Sequence, residues 1–195
     1  MGSRGLFSVL LLGFILTGCS SDDSKSNGNQ ESEYYLRFKV DGTQVEYEYE
    51  PKTQINLTGS ILFDGSTNLN IATIAGIEDI FDSEIKDRLT IFISDSDDIA
   101  TGITYTNIIG EGDVTPSSTF LMGYYDRQGN LYAAGLNTGT AKLYELATVT
   151  LTEITETEIT GTFSGTLLWY DVGGGTVQLV DSMVISEGMF AVPRF

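Results

Sequence analysis

The sequence predicts an all-β domain, an antiparallel β-sandwich or partly closed β-barrel of about ten strands. Three observations predict it. From Tyr34 onward, apolar residues recur with a period of two rather than the 3.6 of a helix. Turn-forming groups separate the periodic stretches: Asp41-Gly42, Asp64-Gly65, Arg127-Gln128-Gly129-Asn130 and Gly173-Gly174-Gly175. The stretches themselves are rich in Thr, Ile, Val and Tyr, and 3 prolines in 195 residues leave sheet ladders little interrupted.

The first two elements are the clearest. Tyr34–Val40 alternates around Leu36, Phe38 and Val40; Asp41-Gly42 makes a tight turn; Thr43–Tyr49 resumes with Val45, Tyr47 and Tyr49 in phase. Glu46, Glu48 and Glu50 then fall on the opposite, solvated face of an antiparallel pair. Further strands are expected at Gln54–Phe63, Asn68–Ala75, Arg88–Ser94, Ile103–Thr106, Thr119–Tyr125 and Leu131–Ala134. Four more follow at Ala147–Ile154, Glu158–Tyr170, Thr176–Ile185 and Gly188–Val192. One segment breaks the rhythm. In Ile77–Lys86, residues Ile77, Ile80, Phe81 and Ile85 stand near helical spacing, which admits a short helix or an irregular excursion.

The N-terminus carries an address. Arg4 supplies a positive charge, and Leu6–Leu16 is apolar but far short of the roughly 20 residues a bilayer span needs. Leu16-Thr17-Gly18-Cys19 follows, and the four residues resemble the lipobox of bacterial lipoproteins. That resemblance implies cleavage before Cys19 and a diacylglyceryl thioether on its sulfur. One acyl chain binds a membrane marginally, whereas two or three hold firmly. Residues 1–18 are thus expected to be a signal peptide and 19–33 a lipidated flexible tether, because Ser20–Glu33 contains no apolar side chain. A single β domain occupies 34–195. Ser21-Asp22-Asp23 looks like the acidic export signal of Bacteroidota surface lipoproteins, which implies the outer face of the outer membrane.

Composition excludes several function classes. With no His, imidazole triads, His-ligated zinc and His proton shuttles are ruled out. With 1 Cys there is no intrachain disulfide and no Cys cluster. A net charge of -17 disfavours nucleic acid as a partner, since phosphate binding needs a basic face. Loss of Arg4 with the signal makes the body more acidic still, so the lipid must do the anchoring.

Candidate sites are few. Asp95-Ser96-Asp97-Asp98 places hard oxygen ligands on a loop, the donor set calcium takes; Asp95, Asp97 and Asp98 are the candidate ligands, with Glu111 and Asp113 on another glycine-rich loop. The pattern is not an EF-hand, and a solvated acidic turn is the simpler explanation. Paired carboxylates for glycoside hydrolysis are available among 27 acidic residues, but none is marked out, and no G-x-S-x-G elbow is present. Gly173-Gly174-Gly175 has no following lysine and reads as a hairpin connection. Aromatic residues offer a binding surface: Trp169 and Tyr170 end one strand, Tyr124 and Tyr125 another, and Tyr132 begins a third. Neighbours on a strand face opposite ways, so each pair puts one ring in the core and one outside. Exposed rings stack on sugars or peptides; buried ones are ordinary cross-strand packing.

The C-terminal third is similar to a broad group of small Bacteroidota surface lipoproteins of unknown function. The matching residues are Thr148-Val149-Thr150-Leu151-Thr152, the turn Glu153–Glu158, Ile159-Thr160-Gly161-Thr162-Phe163-Ser164-Gly165 and Ile185–Val192. The resemblance implies a strand, a turn, a Gly-Thr-Phe strand and a closing strand, and it assigns no catalytic or binding residue. The expected function is a non-catalytic, lipid-anchored surface binding or adhesion module for a glycan or a protein. The alternative is an accessory subunit of an outer-membrane complex, and a third is a carboxylate-dependent hydrolase.

Overall fold

The computed structural model describes residues 34–108, 118–135 and 143–195. Among these the chain forms one antiparallel sheet of 11 strands. In chain order they are β1 (Tyr35–Val40), β2 (Thr43–Glu48), β3 (Leu57–Asp64), β4 (Leu69–Ile77), β5 (Arg88–Asp95) and β6 (Thr104–Thr106). Then follow β7 (Ser118–Tyr125), β8 (Leu131–Ala134), β9 (Ala147–Ile154), β10 (Glu158–Asp171) and β11 (Gln178–Pro193). The spatial order is β2-β1-β11-β10-β8-β7-β5-β4-β3. The first half of β10 also pairs with β9, which carries β6 on its far side.

The sheet curls until it nearly closes as a barrel. β3, at the far end of the path, returns to the chain terminus: Gly59 bridges Arg194, and the Phe195 N–H donates to the Gly59 carbonyl at 2.9 Å. Alternation decides which side chains fill the interior. Leu36, Phe38, Leu57, Ile74, Leu89, Ile91, Ile93, Met122, Val149, Leu151, Ile159, Ile185 and Phe190 are all buried there. Phe38 is the hub, with ring centroids of Tyr124 at 5.5 Å, Phe163 at 5.7 Å and Tyr47 at 6.1 Å. The two pairs with tyrosine are edge-on, the geometry that aligns ring edge with ring face.

The Asp41-Gly42 turn forms as expected, with φ of 48° and 83° placing both residues in the left-handed region of a two-residue hairpin. Asp41 is also stitched to β11: its N–H donates to the Val184 carbonyl at 2.9 Å and its Oδ1 accepts from the Val184 N–H at 2.8 Å. At the β3–β4 turn, Asp64 accepts from the Ser66 and Thr67 hydroxyls at 2.7 Å each, which holds its carboxyl down to about 2.

Of the two readings left open for Ile77–Lys86, the irregular excursion forms: residues 78–87 are a run of turns and bends with no helix. Asp79 Oδ1 accepts the Phe81 N–H at 2.8 Å and Asp82 Oδ1 accepts the Glu84 N–H at 3.0 Å. Such side-chain capture two residues on competes with the helical ladder. Gln54 then clamps the excursion from outside, donating to the Glu78 carbonyl and accepting from the Ile80 N–H, each at 2.9 Å. The last two expected strands, Thr176–Ile185 and Gly188–Val192, are one strand of 16 residues. Gly188 does not end it. A bulge there, with Glu187 at φ 52°, shifts register against both β1 and β10.

Bending at this bulge needs close backbone approach. A Cβ on Gly161 would lie 2.6 Å from the Thr150 carbonyl oxygen, and one on Gly188 would collide with the Phe163 carbonyl. Gly161→Val is therefore expected to lower stability by about 1–3 kcal/mol in urea denaturation, through forced displacement of β9 and Phe190. Asn107 is the buried polar tie: its Nδ2 donates to the carbonyls of Gly135 at 3.0 Å and Glu145 at 2.8 Å, and its Oδ1 accepts the Ala147 N–H at 2.9 Å. Asn107→Ala orphans all three partners and is expected to cost about 3 kcal/mol in the same assay.

Candidate functional site

The aromatic residues singled out by the sequence do not form one exposed patch. Tyr124 and Tyr132 are only 4% and 5% exposed and belong to the core. Trp169 is half-buried, its ring 5.8 Å from that of Tyr132, and it packs against the same core. The Tyr132 hydroxyl donates to Asp181 Oδ2 at 3.0 Å, tying β8 to β11 across β10. Tyr125 lies on the outer face, in register with Arg88. Tyr170 also points outward, but its hydroxyl is committed to the Leu143 carbonyl at 2.6 Å and its ring meets Tyr144 edge-on at 6.1 Å. Cross-strand packing accounts for these rings.

The acidic loop is self-contained. The Asp97 N–H donates to Asp95 Oδ1 at 3.0 Å, the Asp97 carbonyl accepts from Asn70 Nδ2 at 3.0 Å, and Asp98 is exposed. Among the described residues, no three His, Cys, Asp or Glu side chains converge as a metal site. Glu111, Asp113, Cys19 and the segments assigned to signal and tether lie outside the described residues. A separate depression of about 210 Å³ is lined by Glu78, Asp79, Asp82 and Asp87, but Lys86 stands in it, 2.9 Å from Asp82. The Lys86 ammonium supplies the cation those carboxylates need. Burial pushes the Asp87 carboxyl up, against the opposing pull of Arg127 at 3.6 Å.

A further concavity is one the sequence did not reveal. An outer-face groove of about 540 Å³ crosses four strands and falls within the ~300–1,000 Å³ typical of ligand sites. Register builds its floor. Arg37 of β1 stands beside Met189 of β11, Met189 beside Thr162 of β10, Thr162 beside Thr150 of β9, and Thr150 beside Thr104 of β6. Ser164 and Thr148 form the next row. Hydroxyls meet hydroxyls across the strands: Thr104 with Thr150 at 2.9 Å, and Thr148 with Ser164 at 3.4 Å. Each hydroxyl donates once and accepts twice, so these pairs keep capacity for a ligand.

Glu187 and Gln44 form the rim. The positive φ of Glu187 is unusual for this residue type and aims its carboxylate at Lys39, 2.8 Å away. Arg37 Cζ lies 4.4 Å from the centroid of the Tyr35 ring, a stacked arrangement that limits the guanidinium's freedom. A threonine run on a strand is an ordinary sheet signal, and the groove emerges only once register and bulge are known.

In the core, burial raises three tyrosine hydroxyls, pushing Tyr124 and Tyr132 up to about 12 and Tyr47 higher still; the Asp181 carboxylate that Tyr132 donates to adds to the rise for Tyr132. The sign follows from linkage. Below the ordinary tyrosine pKa near 10 both states hold the proton and the stabilisation is complete; between about 10 and 12 the unfolded chain loses protons the folded chain keeps, so stability falls as pH rises. Alkaline titration followed by tyrosinate absorbance is expected to show a late fraction that appears together with unfolding, and Tyr132→Phe should move the unfolding midpoint to higher pH.

No known protein family, curated protein or solved structure matches this chain, so its function has to be argued from the fold and the geometry of the groove.

Proposed function

We propose that the chain is a non-catalytic binding module, held at the outer membrane by lipid on Cys19, whose ligand is a glycan lying in the outer-face groove. One observation carries the reading: the interior is filled by side chains, while the outer face of β1, β11, β10 and β9 presents a groove floored by paired hydroxyls. Sugars offer alternating hydroxyl donors and acceptors, which such a floor can match without a charged partner. Calcium has no part in this reading.

A specific feature favours the second reading, an accessory subunit of an outer-membrane complex. Residues 171–182, the distal end of the β10–β11 hairpin, are all exposed, and Val172, Val177, Leu179 and Val180 stand in that run. An apolar arm projecting from the body is a natural contact for a protein partner.

A thermal-shift panel of polysaccharides on the detergent-solubilised full chain tests the choice. A ligand at 100 times its Kd adds about 2.7 kcal/mol, or about 5–10 °C in Tm for a domain this size. A rise with one glycan is expected, reduced by Thr162→Val and unaffected by Val180→Ser. No rise with any glycan, together with a membrane protein retained on affinity purification and lost with Val180→Ser, favours the accessory reading.

A further inference from the structure

The groove holds one cation on its lining, and the geometry points to what that cation is for. We infer that the groove selects glycans bearing a carboxylate, uronic-acid residues, and that Arg37 is the specificity-determining contact. The inference rests on the glycan reading and refines it.

Among the described cations, Arg37, Lys52 and Arg88 have no carboxylate within salt-bridge distance, and of these three only Arg37 lines the groove. Lys39 pairs with Glu187, Lys86 with Asp82 and Glu84, and Arg127 with Asp87, while Arg194 donates to the Thr155 carbonyl at 2.7 Å. Arg37 has no carboxylate within salt-bridge distance among the described residues, in a chain with 27 acidic side chains. Two carboxylates stand nearby, Glu46 in register with Arg37 on β2 and Glu187 at the rim; neither comes within salt-bridge distance of it, and Glu187 reaches Lys39 instead. What remains is a guanidinium stacked on Tyr35, with its fork of donors unclaimed by any carboxylate, beside a row of hydroxyls.

A planar guanidinium matches a carboxylate through two parallel hydrogen bonds, and stacking lowers the entropy lost in making them. The threonine row then meets the ring hydroxyls of the same sugar. A net charge of -17 opposes any polyanion, sulfated or carboxylated, so the preference for the acid is expected from the paired contact at Arg37 and not from the overall field.

The test compares each acid with its own neutral form. Tetramers of galacturonate, glucuronate, mannuronate and guluronate, and their methyl esters, are titrated calorimetrically into the detergent-solubilised full chain at low ionic strength. Neutral hexose oligosaccharides are included. The expected result is that at least one acid binds about tenfold or more tighter than its ester. Arg37→Ala should remove that preference by weakening the acid far more than its ester, and Arg37→Lys should restore only part of it. If Arg37→Ala fails to fold, Arg37→Gln takes its place. Equal affinity for acid and ester, or an acid preference that survives loss of Arg37, overturns the inference while leaving the glycan reading intact. Failure of every acid, ester and neutral sugar to bind overturns both.

Discussion

Gly188 lies directly against the carbonyl of Phe163, and no residue with a side chain fits there. That contact, with the equally close approaches of Gly161 to β9 and Gly165 to Ala147, lets β10 and β11 bend together without losing their ladder. Both strands consequently serve two stretches of sheet. The first half of β10 pairs with β9, and farther along Leu168 pairs with Ala133 of β8. The C-terminal end of β11 meets β3, and its middle carries β1. Were these positions larger, the sheet would flatten and the rings of Phe38, Phe163 and Phe190 would lose their common interior.

The same bend shapes the outside. Because the bulge falls at Glu187, that residue leaves the alternating pattern and reaches Lys39, so the rim carboxylate is not a partner of Arg37. Inner-face packing fixes which residues face outward, and along β9 and β10 those are hydroxyl-bearing. Structural and functional demands therefore fall on alternate residues of the same strands. The glycines and phenylalanines hold the fold, and the threonines and Arg37 are left free of it. This separation explains how a groove with unspent hydrogen-bonding capacity stands on a tightly packed domain.

Most of the fold was legible in the sequence because period-two alternation and turn chemistry are local. Asp41-Gly42 needed only its two residues to specify the hairpin, and Leu131–Ala134 and Ala147–Ile154 matched their strands end to end. What was misread or left open came from residues whose role is set by distant partners. Gly188 looked like a boundary but is a bulge, because only the position of Phe163 shows why a side chain is excluded. The helical spacing of Ile80, Phe81 and Ile85 left helix and excursion both open, and Asp79 and Asp82 decide between them by capturing the backbone. Of the adjacent aromatics, Tyr124 turns inward to the ring of Phe38 and Tyr125 outward, as alternation requires, while only the folded chain shows Tyr132 packed on the indole of Trp169. The groove was illegible for the same reason: a row from Arg37 to Thr104 spans five strands, and nothing in sequence order places those residues side by side.

The most direct measurement of the central claim is an amide chemical-shift map of the chain titrated with tetragalacturonate. Perturbations concentrated at Arg37, Thr150, Thr162, Glu187 and their cross-strand neighbours are the predicted result. Perturbations confined to the hairpin arm around Val172–Val180, or to the inward-facing ring of Trp169, would contradict the account.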